Sequence, residues 1–260
     1  MSIITLTTDL GLKDYYVGAL KGSIYKQFPD AHLVDISHEI SKFNLMETAF
    51  VIQNTFSDFP KGTIHIIGVK AEQTHESVHV AVEYRDHIFL AADNGIFSLF
   101  LEEPPNKIFE LSLRTDSPFT TFPVKNVLAN AACHLARGGT LEVIGKPMSS
   151  LFERNFYKAV LEENTIVGSV IYLDSFGNAV TNITKAIFEN FGRNREFTII
   201  TKVSGYNIQS IRKNYHDVNG GERLAIFGAN GYLEIAMNIG IANKLMGLKI
   251  NDNVKIEFKN

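Results

Sequence analysis

The first eighteen residues have the pattern of a strand, a polar turn and the start of a helix. The apolar, β-branched run 3–7 predicts a buried strand that ends at Thr8-Asp9. Gly11 permits a tight turn, and we predict that Asp14 is the N-cap of the helix that follows. Ligands of open parallel sheets bind at the carboxyl ends of strands, so Asp9 and Asp14 are candidate ligand contacts. Their alternative role is to satisfy amides of the turn.

The rest of the first half alternates between strand and helix patterns, which predicts an α/β domain over residues 1–150. Its further strands are predicted at 31–36, 63–69, 77–84, 88–92 and 107–113, and its further helices at 44–56 and 124–137.

The pattern changes in the second half, where short strands follow one another closely. We predict a connector at 151–164 and a β-sandwich or barrel over 165–260. The strands of this domain are predicted at 166–173, 197–203, 223–227, 232–236 and 253–258, and its helices at 185–191 and 239–245.

The composition is that of a globular protein, with 45% hydrophobic and 20% charged residues. A net charge of −3 does not indicate a nucleic-acid partner or an anionic membrane surface. The chain shows neither a signal-peptide pattern nor an apolar run of membrane-spanning length, so we expect a soluble, cytoplasmic protein. The single cysteine, Cys133, excludes an internal disulfide, and its apolar neighbours predict a buried side chain.

Polar motifs follow several predicted strands, and they are the candidate sites of chemistry. The most unusual is the run from Asp174 to Asn182, which combines hydrogen-bonding groups with Phe176. It suits a ligand that carries amines, amides or a heterocycle edge, whereas its alternative is a turn in which Asp174 and Asn178 satisfy local amides. The other motifs are Thr8-Asp9 with Asp14, Asp93-Asn94-Gly95 and Asn230-Gly231-Tyr232.

Several familiar catalytic motifs are absent from the sequence. It contains no Gly-x-Ser-x-Gly elbow, no Walker-type phosphate loop and no Gly-x-Gly-x-x-Gly after the first strand. The eight histidines show no His-Glu-x-x-His spacing on a predicted helix, so we predict no metal site. Asp35 and His38 are close enough in sequence to pair, although capping the following loop is the commoner role.

Five motifs, taken in order along the chain, resemble those of one family, the S-adenosylmethionine (SAM) hydroxide adenosyltransferases. This family is related to the fluorinating and chlorinating enzymes that attack SAM. The likeness covers essentially the whole chain and depends on all five motifs in register. They are Thr8-Asp9-x-Gly11-x-x-Asp14-x-Tyr16-Val17-Gly18, Asp35-Ile36-Ser37-His38, Asp93-Asn94-Gly95, Asp174-x-Phe176-Gly177-Asn178-x-x-Thr181-Asn182 and Gly231-Tyr232-Leu233-Glu234-Ile235-Ala236-x-Asn238.

The resemblance implies a Rossmann-like α/β sandwich followed by a small β-barrel-like domain. It also implies a homotrimer in which the ligand, SAM or adenosine, lies between the N-terminal domain of one subunit and the C-terminal domain of the next. No cofactor is implied besides SAM itself as substrate or ligand. The substrate-binding positions carried over from the family are Asp9 at the ribose hydroxyls, Asp14 and Asp174 near the methionine amine, Asn178 at the adenine edge and Tyr215 over the base, and Asn230 completes the predicted set.

The chain departs from the family where the hydrolytic members handle water. Those members use an Asp, an Arg and a His to position or activate the water that attacks ribose C5′, and this chain has Lys70, Ser77 and Pro123 instead. Proline neither donates nor accepts a proton, and lysine reverses the charge. Glu72 and His75 lie in the same altered loop and are hypothetical replacements, with a solvated charged loop as the alternative.

Three functions are consistent with this pattern. The first is SAM hydrolysis to adenosine and L-methionine with a rebuilt water site. The second is a catalytically silent homologue that binds SAM or a nucleoside. The third is adenosyl transfer to, or binding of, a different anionic acceptor or nucleoside, which Lys70 and Lys125 would tolerate.

Overall fold

The computed structural model describes residues 2–74, 77–113, 120–154, 158–202 and 207–259. The chain folds into two compact units, residues 1–156 and 157–260. Within the described residues, no helix is both long enough and apolar enough to cross a membrane.

The described part of the first unit contains a seven-stranded sheet in the order β2-β1-β3-β5-β4-β6-β7. Neighbours among β1, β2, β3 and β5 are parallel, whereas β4, β6 and β7 pair antiparallel. The bounds are β1 Ile3–Thr8, β2 His32–Ser37, β3 Ile64–Gly68, β4 His79–Tyr84, β5 His87–Ala92, β6 Lys107–Leu111 and β7 Gly145–Pro147.

Helices cover both faces of this sheet, because successive residues of a buried strand point to opposite faces. Ile66 belongs to the core with α1 and α4, and the next residue, Ile67, belongs to the core with α2 and α3. The predicted α/β sandwich is therefore confirmed. The helices are α1 Tyr16–Gln27, α2 Leu45–Gln53, α3 Ile96–Phe100, α4 Ala129–Ala136 and α5 Leu141–Ile144, and a π-helical segment, Val124–Leu128, leads into α4.

The prediction that Asp14 caps α1 is wrong. The N-cap position is held by Tyr15, whose backbone is already helical and whose side chain makes no capping bond. A capping side chain reaches back to the first turn from an extended backbone, so the helical Tyr15 offers no place for this contact. Asn44 shows the ordinary arrangement at α2, where its side chain accepts from the Glu47 N–H at 3.1 Å.

The segment 151–164, predicted as a connector, includes residues of both units. Its first residues belong to the first unit, where the Phe152 N–H donates to the Asp93 carboxylate at 3.0 Å. It also contains the strand β8, Val160–Glu162, which pairs with β9 of the second unit. Cys133 is fully buried as predicted, and burial raises the pKa of its thiol to about 11.

The second unit is built from short, mostly antiparallel strands, which confirms the predicted β-barrel-like domain as a curled sheet. In the part that the structure describes, the order is β11-β15-β9-β10-β14-β13-β12, with β8 beside β9. The bounds are β9 Thr165–Leu173, β10 Ala179–Thr184, β11 Phe197–Ile200, β12 Ile211–Arg212, β13 Arg223–Phe227, β14 Tyr232–Met237 and β15 Asn253–Phe258, with helices α6 Lys185–Gly192 and α7 Ala242–Leu245.

Strand β10 escaped prediction because polar residues interrupt its apolar pattern. Thr181 and Asn182 are buried in it, and both are satisfied by the neighbouring strands. The Thr181 hydroxyl donates to the Leu233 carbonyl at 2.9 Å, and the Asn182 side-chain oxygen accepts from the Ser169 N–H at 2.8 Å. These two motif residues therefore hold the sheet together.

Candidate functional site

A cavity of about 290 Å³ opens in the first unit at the carboxyl ends of β1 and β3. The two strands are direct neighbours, and Thr8 at the end of β1 pairs with Gly68 at the end of β3. The chain passes from β1 to β2 on one side of this pair, and from β3 to β4, which lies beyond β5, on the other side. The cavity therefore occupies a topological switch point, the usual ligand position in open α/β sheets. Its lining includes Asp9, Asp14, Tyr16, Lys70, Glu72 and Pro123.

Asp9 is the most firmly held of these residues. Only 8% of it is exposed, its Oδ2 accepts from the Phe43 N–H at 2.8 Å, and its backbone carbonyl accepts from the Lys42 ammonium. Phe43 has a φ of +62°, a left-handed backbone that is uncommon outside glycine. The carboxylate at the end of β1 is thus fixed in orientation while it borders the cavity.

A hydrogen-bonded chain behind Asp9 supports the turn that follows β1. The Thr8 hydroxyl lies 2.8 Å from His38 Nδ1, and His38 Nε2 lies 3.1 Å from Asp35 Oδ1. Burial opposes the charge on Asp35, but hydrogen bonds from Lys21 and His38 hold the pKa of this carboxyl below its ordinary value. The Gly11 N–H also donates to the His38 carbonyl at 2.7 Å. Asp35 and His38 therefore pair, and they also brace the turn.

Asp14 lies on the same cavity but is exposed, which leaves it open to a solvated ligand group. Tyr16 and Phe122 form an aromatic wall beside it, with ring centroids 5.3 Å apart in an edge-to-face arrangement. The structure therefore brings Asp9 and Asp14 to one cavity, as their sequence spacing suggested.

Lys70 borders this cavity on a strained connection. Its φ is +48°, and the Asn94 side-chain amide donates to the carbonyls of Val69 at 3.3 Å and Lys70 at 2.9 Å. Asn94 is therefore a support for the loop that carries Lys70. Its neighbour Asp93 holds Phe152 instead, and burial raises the pKa of the Asp93 carboxyl even though the Phe152 N–H opposes this shift.

The other altered positions have different surroundings. Pro123 is the N-cap of the π-helical segment and lines the cavity. Ser77 is buried, and among the described residues its hydroxyl has no hydrogen-bond partner. Glu72 borders the cavity, whereas His75 lies outside the described residues.

The predicted residues of the second unit form a separate cluster. Asp174 accepts from the Asn178 N–H at 2.7 Å and from the Asn178 side-chain amide at 2.9 Å, which are the local contacts of a polar turn. The Tyr215 hydroxyl donates to Glu234 Oε2 at 2.8 Å. Burial, this hydrogen bond to Glu234 and the charges of Glu234 and Asp174 raise the pKa of Tyr215, so Asp174 and Tyr215 lie in one electrostatic neighbourhood.

Glu234 is a further member of this cluster and was not among the residues predicted from the sequence. It is 8% exposed, and burial raises the pKa of its carboxyl, although the Tyr215 hydroxyl opposes that shift. The sequence feature that could have pointed to Glu234 is a carboxylate between Leu233 and Ile235 in an otherwise apolar strand. Asn230 is exposed in the turn before β14, where its side-chain oxygen accepts from the Tyr232 N–H at 3.1 Å.

No group of three His, Cys, Asp or Glu side chains among the described residues is arranged to hold a metal ion. Residues 75–79 spell His-Glu-x-x-His, a zinc motif when a helix places both histidines on one face. The second histidine of the motif, His79, is the first residue of strand β4 and not part of a helix.

Comparison with known families identifies the chain. The model of the SAM hydroxide adenosyltransferase N-terminal domain matches residues 4–145, and the model of the C-terminal domain of the same name matches residues 168–255. The chain belongs to the SAM hydroxide adenosyltransferase family. Each match falls inside one of the two compact units.

Individual relatives within the SAM hydroxide adenosyltransferase family align over nearly the whole chain. An (R)-S-adenosyl-L-methionine hydrolase of Methanocaldococcus jannaschii is 29% identical over 99% of this chain and 97% of its own length. One of the same name from Thermus thermophilus is 26% identical over 96% of this chain and 97% of its own length. A fluorinase of Nocardia brasiliensis is 24% identical over 98% of this chain and 96% of its own length.

Solved structures agree with the family fold. An uncharacterized conserved protein from Thermotoga maritima superposes with a TM-score of 0.89 at 29% identity, covering 98% of this chain and 99% of its own. A conserved hypothetical protein from Thermus thermophilus gives a TM-score of 0.77 at 27% identity, covering 98% and 100%.

Proposed function

We propose that this chain binds SAM and opens it at ribose C5′, giving adenosine and L-methionine when water is the nucleophile. The observation that carries the proposal is the fixed Asp9 carboxylate beside a cavity at the β1–β3 switch point. Relatives named SAM hydrolases align with the chain from end to end, which supports the same substrate.

The cavity offers a matching group for each part of this ligand. A carboxylate accepts two hydrogen bonds from a vicinal diol, so Asp9 suits the ribose hydroxyls. The exposed Asp14 suits the ammonium of the methionine portion. The faces of Tyr16 and Phe122 suit a sulfonium cation or a purine ring.

Cleavage at C5′ places modest demands on acid–base chemistry. The leaving group is neutral methionine, so the reaction needs an oriented nucleophile more than it needs a strong acid. Activity can therefore persist with Lys70 and Pro123 at positions where the hydrolytic members, by the resemblance above, have an Asp and a His.

A second candidate is a protein that binds SAM or a nucleoside without turnover. It is favoured by Pro123, which lines the cavity and has no group able to move a proton. Within this candidate the Lys70 ammonium favours an uncharged nucleoside over SAM, because a cation beside the cavity disfavours a sulfonium unless Glu72 offsets its charge.

We further propose that the working form is a cytoplasmic homotrimer with the ligand between subunits. In this form Asp174, Asn178, Tyr215 and Asn230 of one subunit complete the site begun by Asp9 of the next. Exposed apolar side chains at the Asp174 turn support a contact surface there, since Phe176 is 76% exposed and Ile241, beside Gly177, is 44% exposed. Solution mass tests the assembly, and a monomeric mass with full SAM affinity would contradict it.

The decisive experiment is incubation of the purified chain with SAM, followed by chromatography for adenosine and methionine. Titration calorimetry with SAM runs in parallel. Both products in equal amounts support cleavage by water. Binding without products supports the second candidate, and neither binding nor products overturns both.

A further inference from the structure

A second cavity adjoins the first and has no assigned role. It has a volume of about 400 Å³, lies in the first unit and shares Glu72, Thr121 and Pro123 with the cavity that borders Asp9. One water requires only about 10–15 Å³ of such space, so the cavity is far larger than a single hydrolytic water needs. Its size is that of a small organic molecule.

The second cavity has a mixed lining. Its polar residues include Glu72, His79 and Thr121, and its apolar residues include Leu111, Leu113 and Val127. None of its described lining residues is a lysine or arginine, and Glu72 contributes a carboxylate. These described lining residues suit an uncharged molecule with an apolar body.

His79 is the buried residue with basic chemistry among the described lining residues, whereas Glu72 is exposed. It is 3% exposed, and its Nε2 lies 2.8 Å from the Ala71 carbonyl oxygen. A carbonyl only accepts, so Nε2 carries the proton and Nδ1 is the basic nitrogen of a neutral ring. Burial lowers the pKa of His79 although the Ala71 carbonyl opposes the shift, so the ring stays neutral at physiological pH. Ala71 itself lines the first cavity, so one bond links the base to the binding site.

We propose that the second cavity binds a small alcohol or thiol as the nucleophile for SAM, and that His79 is its general base. The inference rests on the proposed function, because it requires SAM in the first cavity. It replaces the hypothesis that the altered loop favours an anionic acceptor. It also assigns the role of base to His79, which was not among the residues predicted from the sequence.

The reaction balances without another reactant. A lone pair of the acceptor oxygen or sulfur attacks C5′, and the C5′–sulfur bond of SAM breaks. Its electron pair stays on sulfur, which leaves as the neutral thioether of methionine. The proton of the acceptor moves to His79 Nδ1, so the positive charge of the sulfonium is replaced by that of an imidazolium.

The test uses the full chain, SAM and 2-mercaptoethanol as the probe acceptor. The expected product is 5′-S-(2-hydroxyethyl)-5′-thioadenosine, detected by mass spectrometry, with equimolar methionine. His79→Gln keeps an amide donor for Ala71 and removes the base, so adduct formation should fall roughly 100-fold with KM for SAM unchanged. The wild-type rate should fall at acid pH as His79 is protonated, and this limb should be missing in His79→Gln.

A second variant keeps the inference testable if His79→Gln does not fold. Val127→Phe narrows the second cavity only, and it should suppress adduct formation while SAM binding is retained. Val143→Phe is the matched control, since Val143 is 72% exposed and lines neither cavity. Adenosine without adduct overturns the inference and leaves the proposed function standing. Adduct formation at equal rates in wild type and His79→Gln also overturns it. Absence of both products in wild type defeats the proposed function itself.

Discussion

The Phe43 N–H donates to Asp9 Oδ2 across 2.8 Å, and Phe43 adopts a φ of +62° in making this contact. A non-glycine residue in this conformation costs about 1–2 kcal/mol, which the surrounding contacts must offset. The contact places a charged acceptor at the end of β1 in one orientation. The proposed ribose site therefore depends on a backbone amide as well as on a carboxylate.

Replacing the carboxylate of Asp9 tests this arrangement. Asp9→Asn keeps an oxygen for the Phe43 N–H but loses the charge that suits a diol. A hydrogen bond to a charged group contributes about 1.5–3 kcal/mol, so the Kd for SAM should rise roughly ten- to a hundredfold. Titration calorimetry gives the value, and Asp30→Asn in the exposed turn before β2 is the control. Equal affinities of wild type and Asp9→Asn would contradict the assignment.

Restoring two of the three residues of the hydrolytic members tests the role of the altered positions. The double variant Lys70→Asp, Pro123→His returns a carboxylate and an imidazole to the cavity wall. Electrostatic and positioning groups typically contribute orders of magnitude of rate, so adenosine formation should rise at least tenfold. Chromatography of SAM incubations measures it, with Lys61→Asp as a charge control on an exposed turn. An unchanged rate would show that these positions do not limit turnover.

Buried histidines predict a loss of stability in acid. His65 Nε2 lies 3.1 Å from His87 Nδ1, and burial together with the charge of His87 lowers the pKa of His65 to about 3. Because its pKa in the folded state is below the ordinary 6.5, the unfolded chain takes up the proton first. The contribution of neutral His65 to the free energy of unfolding is complete above about pH 6.5 and is lost as the pH falls toward 3. Between pH 7 and pH 5 the loss is about 2 kcal/mol.

Urea unfolding at pH 7 and pH 5 checks the acid effect. His65→Gln should show a smaller difference between the two pH values than the wild type. His32→Gln, at an exposed position, should retain the wild-type difference. The same pH dependence in His65→Gln and wild type would exclude His65 as its source.

The Tyr215–Glu234 pair predicts coupled effects on stability. Tyr215→Phe removes the 2.8 Å donor and leaves a buried carboxylate with one partner fewer, so the free energy of unfolding should fall by about 1 kcal/mol. Glu234→Gln in the Tyr215→Phe background should cost less than in the wild type. A double-mutant cycle in urea measures this difference, and strictly additive losses would show that the two side chains do not stabilise each other.

Much of the fold was predictable because its buried elements carry regular apolar periods. β1, β3 and β13 show apolar runs, and α1 shows apolar residues at helical spacing. Strand β10 was missed because Thr181 and Asn182 break its pattern, and their partners come from strands far away in sequence. Strand β7 was missed because a three-residue strand with a proline carries no periodic signal.

The candidate site was predictable where residues precede or follow strands. Asp9 was found because it directly follows β1, and Asp174 because it directly follows β9. The prediction that Asp14 caps α1 was wrong because the N-cap position falls at Tyr15, whose backbone is already helical. His79 and Glu234 were missed because each lies inside a strand, and only three-dimensional packing shows that the Ala71 carbonyl orients one and Tyr215 contacts the other.

The positions of Asp9, Lys70 and Pro123 have a consequence for the evolvability of this architecture. Asp9 follows a strand with a hydrogen-bonded neighbour on each side, whereas Lys70 and Pro123 stand on connections outside the sheet. Substitutions on connections disturb little of the core, so a lineage can exchange its nucleophile while it keeps its ligand and its fold. A library randomised at positions 70, 72 and 123 should therefore consist mostly of folded proteins, which makes these positions the natural starting point for directed evolution toward new acceptors.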